Sequence, residues 1–138
     1  AMMPVVFPVH PRTLKRLEAS GLKDKVMAPN IKLTEPLGYI EFLKLMKDSA
    51  CIISDSGGVQ IESSYFGIPC FTVRDTTELK MTIEQGTNRL MELDAAAITA
   101  AVKQVIEKPA TKAEQPWLWD GKASERIVEE VKGFLIGR

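Results

Sequence analysis

The sequence predicts an α/β fold in which a parallel sheet carries helices on both faces. Three observations lead there. Short apolar runs of strand length alternate with helix-periodic stretches at least four times, and such alternation builds parallel sheets. Residues 50–69 read as strand, glycine turn, helix. The 138 residues are 45% hydrophobic, enough for one domain with its own core.

Val5–Val9 reads as a buried strand ending in His10-Pro11-Arg12. Pro11 suits the first turn of a helix expected to reach about Ser20, with Leu14, Leu17 and Leu22 as apolar contacts and Gly21 as its stop. Val26–Leu33 is a weak second strand, interrupted by Pro29-Asn30, and 34–38 is loop. Tyr39–Lys47 has apolar residues at 39, 42, 43 and 46, a helical spacing. Ala50–Ser54 is the central strand. Asp55 and Ser56 are good N-caps for the helix that follows Gly57-Gly58 over Val59–Phe66, and Gly67 and Pro69 close it. Cys70–Val73 is a buried strand, 74–78 a polar cluster and 84–88 the end of a loop. Arg89–Met91 is a short strand. Asp94 caps a helix from about Ala95 to Glu107, ended by Pro109. A loop over 110–122 precedes a last amphipathic helix, Ala123–Leu135, whose apolar residues are Ile127, Val128, Val131, Phe134 and Leu135.

Eighteen basic and eighteen acidic residues cancel, so bulk charge points to neither nucleic acid nor a membrane surface. No run approaches the ~20 apolar residues of a membrane span, and no signal peptide is visible. Cys51 and Cys70 lack metal-ligand spacing and read as small buried hydrophobes in a reducing compartment, which makes cytoplasm the expected location. A single histidine argues against a histidine-rich metal site, and no metal is expected.

The glycine turn at 55–58 offers unpaired backbone N–H groups and the positive end of a helix dipole. Gly57 and Gly58 let a phosphate come close to the backbone. Glu62 lies one turn further on the same face, placed to accept bonds from ribose hydroxyls. The same pattern also suits an ordinary tight turn with a surface glutamate. His10 likewise reads either as a strand-end residue or as a group over the crevice where open α/β sheets bind ligands. In a parallel sheet one rim would gather His10, Arg12, Ser56, Gly57, Gly58, Arg74 and Glu78. Such a rim suits a diphosphate joined to a ribose. A serine hydrolase is excluded because there is no Gly-x-Ser-x-Gly elbow and no second histidine, and the Gly-x-Gly-x-x-Gly dinucleotide fingerprint is absent.

Five stretches occur in order: 8–12 (Pro-Val-His-Pro-Arg), 54–62 (Ser-Asp-Ser-Gly-Gly-Val-Gln, then Glu62), 74–78 (Arg-Asp-Thr-Thr-Glu), 86–88 (Gly-Thr-Asn) and 120–127 (Asp-Gly-Lys-Ala-Ser-Glu-Arg-Ile). Together they closely resemble the C-terminal half of the UDP-N-acetylglucosamine 2-epimerases. The resemblance implies a GT-B architecture of two Rossmann-like, three-layer domains. Residues 1–138 would be a single UDP-binding domain, the second of the two, with the N-terminal domain not included. It implies interconversion of UDP-GlcNAc and UDP-ManNAc by elimination and re-addition of UDP, without metal or nicotinamide, in a cytoplasmic pathway of cell-wall polysaccharide synthesis. Carried over by position, Ser56, Gly57 and Gly58 would hold the diphosphate and Glu62 the ribose. His10 would stand at the leaving diphosphate as the catalytic candidate, and Arg12 and Arg74 would neutralise charge. The family's other acid/base carboxylates lie in the first domain, so residues 1–138 alone are expected to be inactive.

Large apolar residues at Leu79, Met81, Met91, Trp117, Leu118 and Trp119 fall in segments read as loops. They are expected to pack onto the helices. Exposed together, they would instead form a surface for a protein partner or for self-association, the mark of an interaction module.

Overall fold

A computed structural model of the chain describes residues 3–108 and 116–137. Its contacts group into two compact units, residues 1–42 and 43–138. All ladders in both are parallel. They form a two-stranded and a three-stranded sheet, where the sequence reading had the strands in one.

In the first unit, β1 (Val5–Pro8) pairs with β2 (Ile31–Thr34), Val5 opposite Ile31 and Pro8 opposite Thr34. Between them lie α1 (Pro11–Ala19) and the short α2 (Lys23–Val26). Pro11 opens α1 as expected, because its missing N–H would be unpaired there anyway. Gly21, at φ 66°, closes it: the Gly21 N–H bonds to the Glu18 carbonyl and the Leu22 N–H to the Leu17 carbonyl. Val26 belongs to α2 and not to the second strand, which starts five residues later, after the Pro29-Asn30 turn. Val5 and Val6 are exposed, so β1 is not the buried strand its apolar sequence suggested.

α3 (Tyr39–Lys47) matches its predicted span and runs through the boundary at residue 42. In the second unit, β3 (Ile52–Ser54), β4 (Cys70–Val73) and β5 (Asn88–Met91) form the sheet, with β4 in the middle. α4 (Gly57–Phe66) links β3 to β4, and α5 (Lys80–Glu84) precedes β5. Next come α6 (Ala95–Glu107) and α7 (Ala123–Ile136). Pro109 and residues 110–115 of the expected loop lie outside the described residues.

Register explains the two faces of this sheet. Alternate residues point to opposite sides, so Phe71 and Met91 share one face and Thr72 and Asn88 the other. The first face is apolar. Phe71, Met91 and Ala101 are buried together, with Cys51, Ile98, Val102 and Val105 packed around them, which places α6 there. Full burial of a side chain such as Phe71 or Met91 is worth about 1.5–3 kcal/mol. Met91 is therefore core, and it leaves the set of loop residues considered for an interface. The second face, under α4, is polar: Gln60, Ser63, Ser64, Thr72, Thr82 and Asn88 are all buried. Cys70 is buried and Cys51 half-buried; both are free thiols, pushed up by burial. β3, expected to be the central buried strand, lies at the edge of this sheet, and its Ile53 is 54% exposed. The apolar residues of α7, Ile127, Val128, Val131, Phe134 and Leu135, are also exposed.

Candidate functional site

The site is built on the start of α4. β3 ends at Ser54, whose Oγ accepts the Ser56 N–H at 3.1 Å and tightens the turn. Ser56 takes the N-cap position in extended conformation, φ −82° and ψ 129°. The Gln60 N–H returns to the Ser56 carbonyl, closing the first helical turn. The Ser56 hydroxyl makes no capping bond, contrary to the expected Ser56 or Asp55 cap. Among the described residues no side chain takes up the N–H groups of this first turn, which stand at the positive end of a ten-residue helix. A Cβ on Gly58 would meet only the Ser56 Oγ, at 3.8 Å, so the space above Gly58 is open. Glu62, in the second turn, is half-buried and has no hydrogen bond or ion pair among the described residues.

The loop between β4 and α5 stands beside this turn. A Cβ at Gly57 would lie 3.6 Å from Leu79 Cδ1 and 3.8 Å from Glu78 Oε1. Glu78 pairs with Arg74 at 3.8 Å, and both side chains are more than a third exposed, so the pair is worth little in stability. Ser56, Gly57, Gly58 and Glu78 are thus brought together, with Arg74 reached through Glu78. Leu79 is half-buried rather than a free loop residue.

Beneath the turn lies a polar layer to which the sequence reading assigned no role. Gln60 Oε1 accepts from Thr77 Oγ1 at 2.7 Å and from Asn88 Nδ2 at 3.1 Å. Asn88 Nδ2 also donates to Thr82 Oγ1 at 3.1 Å, and Asn88 Oδ1 accepts from Thr72 Oγ1. The only sequence signal was that buried positions on α4 are polar at 60, 63 and 64, a helical spacing without the usual apolar residues.

His10 and Arg12 belong to the first unit and are exposed. His10 is the N-cap of α1: its Nδ1 accepts the Arg12 N–H at 3.2 Å. In the neutral ring this puts the proton on Nε2, leaving that nitrogen as a donor. The 120–127 stretch has a structural task. Asp120 Oδ1 accepts the Lys122 N–H at 3.0 Å, and Arg126 bonds both the Asp120 carboxylate and the Leu118 carbonyl. The Lys122 amide first, and then the Arg126 side chain, hold the Asp120 carboxyl below its usual range. This clasp precedes α7 and encloses Leu118, which has φ 67°. Trp117 is 70% exposed, and its backbone N–H donates to Gln85 Oε1. Among the described residues, no group of three or more His, Cys, Asp or Glu is placed to hold a metal ion. No described helix is long and apolar enough to cross a membrane.

Parallel sheets covered by helices, with a glycine-opened helix following β3, define a Rossmann-like architecture of the GT-B class. The family model of UDP-N-acetylglucosamine 2-epimerase matches residues 1–132. The chain belongs to the UDP-N-acetylglucosamine 2-epimerase family. It is 41% identical over 128 residues to UDP-N-acetylglucosamine 2-epimerase of Methanocaldococcus jannaschii, covering 90% of this chain and 34% of that protein. It is 37% identical over 126 residues to UDP-2,3-diacetamido-2,3-dideoxy-D-glucuronate 2-epimerase of Pseudomonas aeruginosa, covering 91% and 34%. Among solved structures, the M. jannaschii UDP-GlcNAc 2-epimerase in complex with UDP-GlcNAc and UDP matches with TM-score 0.79 and 39% identity, over 94% of this chain and 35% of that one. The Neisseria meningitidis UDP-GlcNAc 2-epimerase bound to UDP-GlcNAc matches with TM-score 0.75 and 33% identity, over 94% and 35%. The chain thus spans about a third of the length of the relatives it matches.

Proposed function

We propose that residues 1–138 form a single domain that holds UDP for a UDP-N-acetylglucosamine 2-epimerase, which interconverts UDP-GlcNAc and UDP-ManNAc by eliminating and re-adding UDP. The observation that carries this is the uncapped, glycine-lined first turn of α4. Ser56, Gly57 and Gly58 take the diphosphate, through backbone N–H groups and the Ser56 hydroxyl. Glu62, with no partner among the described residues, takes the ribose hydroxyls. Arg74 offsets charge once it turns from Glu78, and Arg12 is a further candidate for that role by its position in the family's motif. His10 donates from Nε2 toward the leaving diphosphate, binding it or supplying a proton.

UDP is the part of the ligand best supported. The named substrates of the archaeal and Pseudomonas relatives differ in the sugar and share UDP. Elimination also needs a base at C2 of the sugar, and the proposed site residues provide none. Residues 1–138 by themselves should therefore bind UDP and leave UDP-GlcNAc unchanged. The working location in this reading is the cytoplasm, where UDP-sugars feed cell-wall polysaccharide synthesis. A second reading, a protein-interaction surface, keeps Met81, Trp117 and Leu118, which are exposed, and loses Met91, which is core.

Calorimetric titration with UDP tests the proposal. Binding in the micromolar to millimolar range is expected, weakened about tenfold or more by Glu62→Ala and by His10→Ala, as for a lost charge-assisted hydrogen bond. Unchanged affinity in both variants would remove these residues from the site. Robust epimerisation by residues 1–138 would overturn the assignment of the base to residues outside them.

A further inference from the structure

Thr77 lies in the polar stretch between Arg74 and Glu78, yet its side chain faces inward. Its Oγ1 donates to Gln60 Oε1 at 2.7 Å and accepts the Leu79 N–H at 3.1 Å. One hydroxyl thus uses both its donor and an acceptor site. The other end of the tether is fixed. Gln60 is 0% exposed and its Oε1 is also held by Asn88, which is bonded to Thr72 and Thr82. These partners come from β4, β5 and α5 and hold the Oε1 end of the Gln60 carboxamide, while its buried Nε2 has no partner among the described residues. At the loop end, the two residues after Thr77 are those that approach Gly57. The rest of the loop has weak anchors: Arg74, Asp75, Thr76 and Glu78 are exposed, and the Arg74–Glu78 pair is long at 3.8 Å.

We infer that Thr77 is a positioning residue. Its bond to Gln60 holds the Arg74–Leu79 loop against the first turn of α4 and so sets where Arg74 and Glu78 stand beside a bound diphosphate. The inference rests on the reading of Ser56–Gly58 as the diphosphate site. Without the hydroxyl, the Leu79 N–H loses its acceptor and the Gln60 carbonyl loses a donor. The loop then samples positions in which Arg74 no longer meets the diphosphate, and each binding event must order it again.

The test uses the 138-residue chain as wild type, Thr77→Val and Thr77→Ser. UDP and uridine are titrated calorimetrically, and amide exchange is read at Leu79. Thr77→Val should weaken UDP binding about five- to tenfold, the cost of roughly one hydrogen bond, and speed exchange at Leu79. Uridine affinity should stay the same, because uridine carries no diphosphate. Thr77→Ser keeps the hydroxyl and should restore UDP binding. Equal UDP affinity in wild type and Thr77→Val would overturn the inference and leave the site reading standing. An equal loss for UDP and uridine would also overturn it, by showing a general structural effect. Failure of the wild type to bind millimolar UDP, with Leu79 exchange still dependent on the hydroxyl, would overturn the site reading and the role at the diphosphate together.

Discussion

Replacing Gly58 by aspartate is expected to abolish UDP binding while leaving the fold at least as stable. The side chain fits: a Cβ at Gly58 meets nothing closer than the Ser56 Oγ at 3.8 Å, and the backbone there is not left-handed. Helix formation favours the change. Glycine in a helix costs about 0.5–1 kcal/mol relative to alanine, and a carboxylate in the first turn gains about 0.3–1 kcal/mol from the helix dipole. A diphosphate feels the opposite effect. A fixed carboxylate about 4 Å from a phosphate oxygen repels it by on the order of 2–4 kcal/mol at the effective dielectric of a protein surface, or about 30- to 1000-fold in affinity. Thermal melting and UDP titration of the same variant separate the two effects. A variant that melts like wild type and still binds UDP would place the diphosphate elsewhere. Stability mutants rarely give this clean a division, because a binding glycine is usually also a structural one.

Gly86 is a glycine of that structural kind. A Cβ built there lies 2.5 Å from both the Ser64 Oγ and the Thr82 carbonyl oxygen, and 2.8 Å from Ser64 Cβ. Thr82 contributes backbone of α5, and Ser64 is fully buried on α4, so neither neighbour can retreat cheaply. Gly86→Ala should cost about 3 kcal/mol, the upper part of the range for overpacking a dense interior. That is a large share of the roughly 5–15 kcal/mol that holds a typical domain together. Urea unfolding should show a lower midpoint with an unchanged slope. A loss below about 0.5 kcal/mol would mean that α4 and α5 are not packed this closely around residue 86.

The candidate turn was legible in the sequence because its signals are local. Strand, Ser-Gly-Gly, helix, then Gly67 at φ 70° is punctuation that glycine supplies by itself. The spans of α3, β4 and α6 were legible for the same reason, since periodicity and the Asp94 cap mark them. Asp94 does accept the N–H groups of Ala96 and Ala97. α5 was missed because five residues carry barely more than one turn and no readable period. Val26 was misplaced because one valine beside a Pro-Asn turn looks the same in a strand as at the end of a short helix. The layer of Gln60, Thr77 and Asn88 was invisible for a deeper reason. Polar residues in sequence read as loop or surface, and only their mutual hydrogen bonds make burial tolerable. Met91 shows the reverse case: an apolar residue that reads as the end of a short strand and yet is also grouped with the loop residues lies on the strand face that packs against α6. For α7 the sequence shows an apolar stripe but not what covers it. Its residues stay exposed in a chain that spans a third of its relatives' length.

The account stands on the first turn of α4 as the diphosphate site, and the backbone amides there report on it directly. The measurement is a series of amide ¹H–¹⁵N spectra of the chain as UDP is added, with uridine as the reference. The account expects the Gly57, Gly58 and Val59 amides to move with UDP much more than with uridine. Smaller shifts should follow in the Arg74–Leu79 loop, and α6 and α7 should stay still. Shifts that leave Gly57 and Gly58 untouched, or that are the same for UDP and uridine, would contradict it.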